Sequence, residues 1–267
     1  MVDPLIALIV FFSLVLIAGL IWWLRKSSLV PKRDQFNDKT LIEDILKQLY
    51  HVEYSGRSAS LNDMAGALKV KDKRLVKIIE VMASLNLIRI DQSNLILTDE
   101  GRDYALKIIR VHRLYEKYLS EKTGIDKLEW HDRAEAMEHL LTADEIEKLD
   151  RSLGSPRFDP HGDPIPTASG EIIAPNWQPL TLLEPGTFAR IVHIEDEPEV
   201  IYQQIVSKKL HIGSQVKVLK NDDHQLSFFS EGKEYSFSPI VATNINVAML
   251  SNLEVYEEKA ERLSTLR

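Results

Sequence analysis

Residues 64–88 read MAGALKVKDKRLVKIIEVMASLNLI. Apolar residues recur at helical spacing on both sides of Lys69-Val70, which supplies a tight turn, so the stretch predicts a helix-turn-helix. Ser60-Leu61-Asn62-Asp63 has the pattern of a capping box and opens the first of these helices, which carries Met64, Ala65 and Leu68 on one side. The next helix begins near Asp72 and turns Val76, Ile79 and Met82 inward. Upstream, Thr40–Val52 places Leu41, Ile42, Ile45, Leu46 and Leu49 at helical spacing. Downstream, Leu87–Ile90 and Leu95–Leu97 flank Asp91-Gln92-Ser93-Asn94, a strand–turn–strand wing. Residues 40–100 therefore predict a winged helix domain.

The net charge of the chain is −7, so any nucleic-acid contact requires a local basic patch. One exists. Between Arg57 and Lys77 six basic residues (Arg57, Lys69, Lys71, Lys73, Arg74, Lys77) face two acidic ones, a local charge of +4. Lys71, Lys73, Arg74 and Lys77 cluster in the first turns of the last helix of the motif, the end that enters a major groove. Arg57, Lys71, Lys73, Arg74 and Lys77 are the candidate DNA contacts. A winged helix can instead bind protein, and a charged helix face is often only solvated. The local excess of positive charge favours DNA.

Residues 101–153 predict a helical, charge-rich domain. Gly101–Leu119 reads as a helix on which His112 and Glu116 share a face. Trp130–Leu141 reads as a second helix with His131, Glu135, Glu138 and His139 projecting within an arc of about 100°. Three of the eight histidines fall among these six residues. Imidazole and carboxylate heads on one helical face suit a divalent first-row metal. With 267 residues and no Cys, the chain suits several units and excludes disulfide scaffolds, thiolate zinc sites and Cys nucleophiles. No phosphate-binding Gly-rich loop, HExxH or GxSxG pattern occurs, which argues against an enzyme.

Residues 154–179 hold six of the eleven prolines and predict an extended linker, in which the lone His161 reads as structural. Short β-type runs at Phe188–Ile194, Gln215–Leu219 and Leu226–Phe229 predict a small β-barrel over 180–250. Residues 251–267 read as a charged tail. At the other end, Leu5–Leu24 is a run of 20 residues without charge, about 30 Å as a helix. Trp22 and Trp23 stand at its edge, followed by Arg25, Lys26, Lys32 and Arg33. Residues 1–25 thus predict a transmembrane anchor and 26–39 a linker, with residues 25–267 on the cytoplasmic side of the inner membrane.

These stretches carry a resemblance. IEDILKQLY (42–50), the helix-turn-helix run, LTDEGRDYALKIIRVHRLYEKYL (97–119), WHDRAEAMEHLL (130–141), GSPRFDPHGDPIP (154–166) and LHIGSQVKVL (210–219) are similar to the diphtheria-toxin-repressor/manganese-repressor family of metal-dependent transcription regulators. The resemblance spans about residues 36–250. It implies an α+β, multi-domain chain: winged helix-turn-helix, helical metal-binding and dimerisation domain, and C-terminal SH3-like (FeoA-type) barrel, here with an added transmembrane helix. It implies a homodimer that binds operator DNA with Mn²⁺ or Fe²⁺ bound and controls metal-homeostasis genes, without enzyme activity or a small organic cofactor. Asp44, Glu135, Glu138 and His139 then match the primary metal site. His112, Glu116 and His131 match an ancillary site, with Glu199 as the barrel's contribution. Lys47 stands where manganese sensors have a Glu ligand, which argues against a two-metal cluster. The other reading is a membrane-tethered metal sensor or adaptor acting on a transporter without operator binding.

Overall fold

The computed structural model describes residues 38–250. Helix α1 (Asp38–Tyr54), strand β1 (Ala59–Ser60), helix α2 (Leu61–Leu68), helix α3 (Asp72–Ser84) and the strands β2 (Ile88–Asp91) and β3 (Asn94–Leu97) form the winged unit. The Ser60/Asp63 capping box closes the start of α2, and Lys69 ends it in the left-handed conformation at φ 52°. The wing is antiparallel in the order β1-β3-β2. On α3 the buried residues are Leu75, Ile78, Ile79 and Met82. Val76, expected inside, is exposed, because the inward stripe runs through Leu75, Ile78, Ile79 and Met82 and leaves Val76 at its edge.

Helix α4 (Asp99–Lys122) has 24 residues, about 36 Å of length. Its first half joins the core of the winged unit through Ala105, Ile108 and Ile109, against Leu41, Ile45, Leu49 and Met82. Glu53 of α1 reinforces the joint by accepting from the Leu97 amide at 2.8 Å and from Arg102. The second half packs on α5 (Trp130–Glu138) and α6 (Ala143–Ser152). Helix α5 stops at Glu138, so His139 is its C-terminal cap. A second apolar core lies in the C-terminal unit, among Leu180, Ile191, Tyr202, Val218, Phe228 and Val247. Outside the two cores many buried side chains are polar, among them Arg110, His112, Glu116, Glu138, Asp159, His161 and His193.

The C-terminal unit comprises β4 (Gln178–Pro179), β5 (Phe188–Ile194), α7 (Glu199–Val206), β6 (Gln215–Asn221), β7 (Leu226–Ser230), β8 (Lys233–Phe237), α8 (Pro239–Ala242) and β9 (Ile245–Met249). Its strands form one six-stranded antiparallel sheet in the order β4-β9-β5-β6-β7-β8. Among the described residues the two edge strands do not pair, so the expected barrel is an open six-stranded sheet. Asp159–Pro166 of the Pro-rich segment is held against α4. Arg113 donates to the Pro164 carbonyl at 2.6 Å and to Asp163 at 3.0 Å, and Arg110 donates to the Pro166 carbonyl at 2.8 Å.

The membrane anchor expected at Leu5–Leu24 and the charged tail at 251–267 lie outside the described residues. No helix among the described residues is long and apolar enough to cross a membrane. The described residues therefore give the inner-membrane placement no support.

The seam between wing and α4 carries a sharp steric requirement. A Cβ added at Gly101 would lie 1.8 Å from the Leu87 carbonyl oxygen, whereas one at Gly66 of α2 meets nothing within 4 Å. Gly101→Ala is expected to cost roughly 1–3 kcal/mol or more. Gly66→Ala should stabilise by about 0.5–1 kcal/mol through helix propensity. Urea unfolding of the two variants beside the parent checks both signs.

Candidate metal centre

Helix α1 faces α5 with Glu43, Asp44 and Lys47. Glu43 is buried although acidic, and the reason is its partners. It accepts from the Tyr104 hydroxyl at 2.6 Å and lies 2.7 Å from His139 Nδ1. A carboxylate on Nδ1 fixes that nitrogen as the N–H and leaves Nε2 for another partner. His139 Nε2 is 3.1 Å from Asp44 Oδ1 and 3.6 Å from Glu138 Oε1. Asp44, Glu138 and His139 each offer one ligand atom within 4.8 Å of the others. This is the first triad. Burial opposes charge on the His139 ring, but Asp44 and Glu43 outweigh it and lift its pKa to about 9.

Glu138 is the hinge of the arrangement. Its Oε2 is 2.6 Å from His112 Nδ1, while the Lys47 ammonium sits 2.8 Å from Oε1 and 3.0 Å from Oε2. The opposite nitrogen of the same imidazole, His112 Nε2, is 3.2 Å from Glu116 Oε1. His112 thus bridges to a second group one helical turn along α4.

In that second group Glu116 Oε1 faces three imidazoles. His131 Nδ1 is 3.7 Å from it and His161 Nε2 3.8 Å, beyond the 3.2 Å of His112. Glu116 Oε1 and His161 Nε2 are both buried without a hydrogen-bond partner. Such atoms are costly unless something else satisfies them. Spacings of about 3–4 Å between donor atoms are those of ligands gathered around one small cation with bonds near 2.1 Å. Asp196, in the loop after β5, completes the group at 3.0 Å from His131 Nδ1 and 3.9 Å from His161 Nε2. His112–Glu116–His131 and Glu116–His161–Asp196 are the two triads found here. Burial disfavours the charged Glu116, yet the His112 and His131 rings hold it well below the usual carboxylate range. His131 is likewise opposed by burial but driven far above the ordinary imidazole value by Asp196 and Glu116.

Of the residues picked out from sequence, Asp44, Glu138 and His139 converge in one triad, and His112, Glu116 and His131 in another. Glu135 joins neither. Its half-exposed carboxylate lies 3.5 Å from Lys47 and 3.6 Å from His131 Nε2, which holds its pKa down at about 2. Glu199 lines a cavity of ≈ 200 Å³ beside His131 and His161 but bonds Gln203 on its own helix. Asp196 and Glu197 approach His131 instead. His161, read as structural, points its unpartnered nitrogen into the second group. Glu43 was missed, and its adjacency to Asp44 was the only sequence signal for it.

The candidate DNA contacts lie at the start of α3 and along it, and at Arg57 in the turn after α1. Lys71 caps the start of α3, and Lys71, Lys73 and Lys77 are exposed. Arg57 is exposed and donates to Ser55 at 3.0 Å. Arg74 differs, since it donates to Asp38 at the start of α1 at 3.0 Å.

The chain is similar to known metal-dependent repressors. Residues 98–167 match the family model of the iron dependent repressor, metal binding and dimerisation domain. Over 223 residues the chain is 25% identical to the diphtheria toxin repressor of Corynebacterium diphtheriae, covering 78% of this chain and 96% of that protein. A solved manganese-dependent transcriptional repressor in complex with manganese aligns with a TM-score of 0.71 at 27% identity, over 78% of this chain and 99% of its own. Both repressors are matched nearly end to end, and the inner-membrane placement expected from residues 1–25 is corrected on that likeness. A stretch of 70 residues is also 44% identical to a probable metal transport system membrane protein of Chlamydia trachomatis, of whose length the chain spans 16%. The family model, the curated relative and the solved repressor agree in kind: the chain is similar to the diphtheria toxin repressor and to manganese-dependent repressors, which are metal-dependent transcriptional repressors and not enzymes.

Proposed function

We propose that this chain is a metal-dependent transcriptional repressor that binds operator DNA as a homodimer when loaded with Mn²⁺ or Fe²⁺, and so controls metal-homeostasis genes. The observation that carries this reading is the unbroken run of polar groups from Asp44 through His139, Glu138, His112 and Glu116 to Asp196. It joins the first helix of the winged unit to α4, α5 and the loop after β5. The donor set fits a divalent ion. It is all nitrogen and oxygen, which favours Mn²⁺ or Fe²⁺ among the metals available to a cell, and it holds two orphaned buried atoms that an ion would satisfy. Asp44, Glu138 and His139 would hold one ion, with Glu43 orienting His139. Glu116, His131, His161 and Asp196 would hold another, with His112 between the two.

A bound cation supplies a cross-link of several ligands where the free chain has only pairwise contacts. Asp44 then fixes α1, and through the shared apolar core the helix α3, relative to α4 and α5. In a dimer this sets the separation of two α3 helices for successive major grooves. Leu128 and Leu140 of the helical block are exposed and suit a second copy. A second reading, metal sensing for a transporter without operator binding, is favoured by the 70-residue likeness to the transport protein.

Selection from random DNA fragments in the presence and absence of Mn²⁺ tests the proposal. Asp44→Ala should abolish the metal dependence of retention, and equal retention by the parent with and without ion would overturn the reading. Lys73→Ala and Lys77→Ala should each weaken DNA binding and flatten its log–log salt dependence by about 1, leaving bound metal unchanged. If they leave DNA retention untouched, the transporter reading gains.

Metal binding should also release protons. His139, with a pKa of about 9, carries a proton on Nε2 at neutral pH that an ion must displace. Apparent affinity should therefore rise with pH, by about tenfold per proton released per pH unit, and level off above about pH 9. Calorimetry in buffers of different ionisation enthalpy reads the proton count directly.

A further inference from the structure

The first triad already contains a cation. The Lys47 ammonium lies 2.8 and 3.0 Å from the two oxygens of Glu138 and 3.5 Å from Glu135 Oε1, with its side chain only 16% exposed. Asp44 stands on the same helix and faces the same gap. Lys47 is therefore gripped by the carboxylates of α5 from across the joint between the winged unit and the helical block. The grip is central to the site, since Glu138 is buried and its other neighbours are the rings of His112 and His139. An ammonium this close to both oxygens occupies the space on the Glu135 side of Glu138. On the Asp44–His139 side, Glu138 Oε1 lies 3.6 Å from His139 Nε2, where Asp44, Glu138 and His139 can share a divalent ion.

We propose that Lys47 is a built-in counter-cation that fills the position of a second ion between Glu135 and Glu138. The primary centre consequently takes one divalent ion rather than a pair, and α1 is already tied to α5 before that ion arrives. This rests on the reading of Asp44, Glu138 and His139 as a metal centre. Two consequences separate it from an ordinary structural ion pair. Replacing Lys47 by a carboxylate should create room and charge for one more ion. Replacing it by a neutral side chain should not add an ion, but should tighten the first ion by about tenfold or more, since a like charge within a few ångströms is removed.

The experiment counts Mn²⁺ per chain by equilibrium dialysis and records the manganese electron paramagnetic resonance spectrum of the full chain, Lys47→Glu and Lys47→Gln. The expected results are one additional ion in Lys47→Glu with the signature of an exchange-coupled pair, an unchanged count in Lys47→Gln with tighter binding, and no coupled pair in the parent. A coupled pair in the parent overturns the proposal. So does a Lys47→Glu chain, folded by circular dichroism, that gains no ion. If Lys47→Glu folds only with metal present, its count is taken after refolding in Mn²⁺. Lys47→Gln keeps the test open in either case, because unchanged or weaker binding there removes the counter-cation role. A parent that binds no Mn²⁺ at all contradicts the metal reading itself, while the difference in count between parent and Lys47→Glu still reports on Lys47.

Discussion

The arrangement depends on one buried carboxylate. Glu138 sits at the end of α5 with His112 against one oxygen and Lys47 against both. A carboxylate in such a place cannot be left without positive partners. Breaking a buried pair by removing one side typically costs about 3–5 kcal/mol. The sequence meets this demand from two other helices, with Lys47 from α1 and His112 from α4. Glu138 consequently decides where α1 stands against α4 and α5, and any cation that competes for its oxygens acts on that joint.

The same logic explains the buried polar groups outside the apolar cores. The two apolar cores belong to the winged unit with the start of α4, and to the C-terminal sheet. Outside them, buried charged and imidazole groups form an alternating series of acids and bases. Each is stabilised by its neighbours more than by water, which is why burial loses to charge at Glu116, His131 and His139. Such a series satisfies itself only partly. Glu116 Oε1 and His161 Nε2 keep no hydrogen bond, and a region held together in this way is one where a bound ion can change the balance between units.

Much of the fold was legible because it rests on local rules. The helical spacing around Lys69-Val70, the Ser60 capping box and the wing around Asp91–Asn94 all appear where expected. The polar face of α5 was legible for the same reason, since His131, Glu138 and His139 are fixed by helix geometry. What escaped was set by tertiary structure. Asp196 and His161 meet only because the Pro-rich segment folds back along α4 under the hold of Arg113. Glu43 reads as an ordinary solvated acid until Tyr104, 61 residues away, is found to donate to it. Val76 and Ile78 trade places because a stripe of apolar residues fixes a helix face only to within a residue or so. Closure of the sheet likewise depends on edges that no short run of residues encodes.

Anomalous diffraction at the manganese edge, from crystals of the chain grown with Mn²⁺, addresses the central claim most directly. The account predicts a peak within about 2.2 Å of donor atoms from Asp44, Glu138 and His139 together, with Glu43 still on His139 Nδ1. Density elsewhere on the surface, with those three side chains keeping only their pairwise contacts, would contradict it.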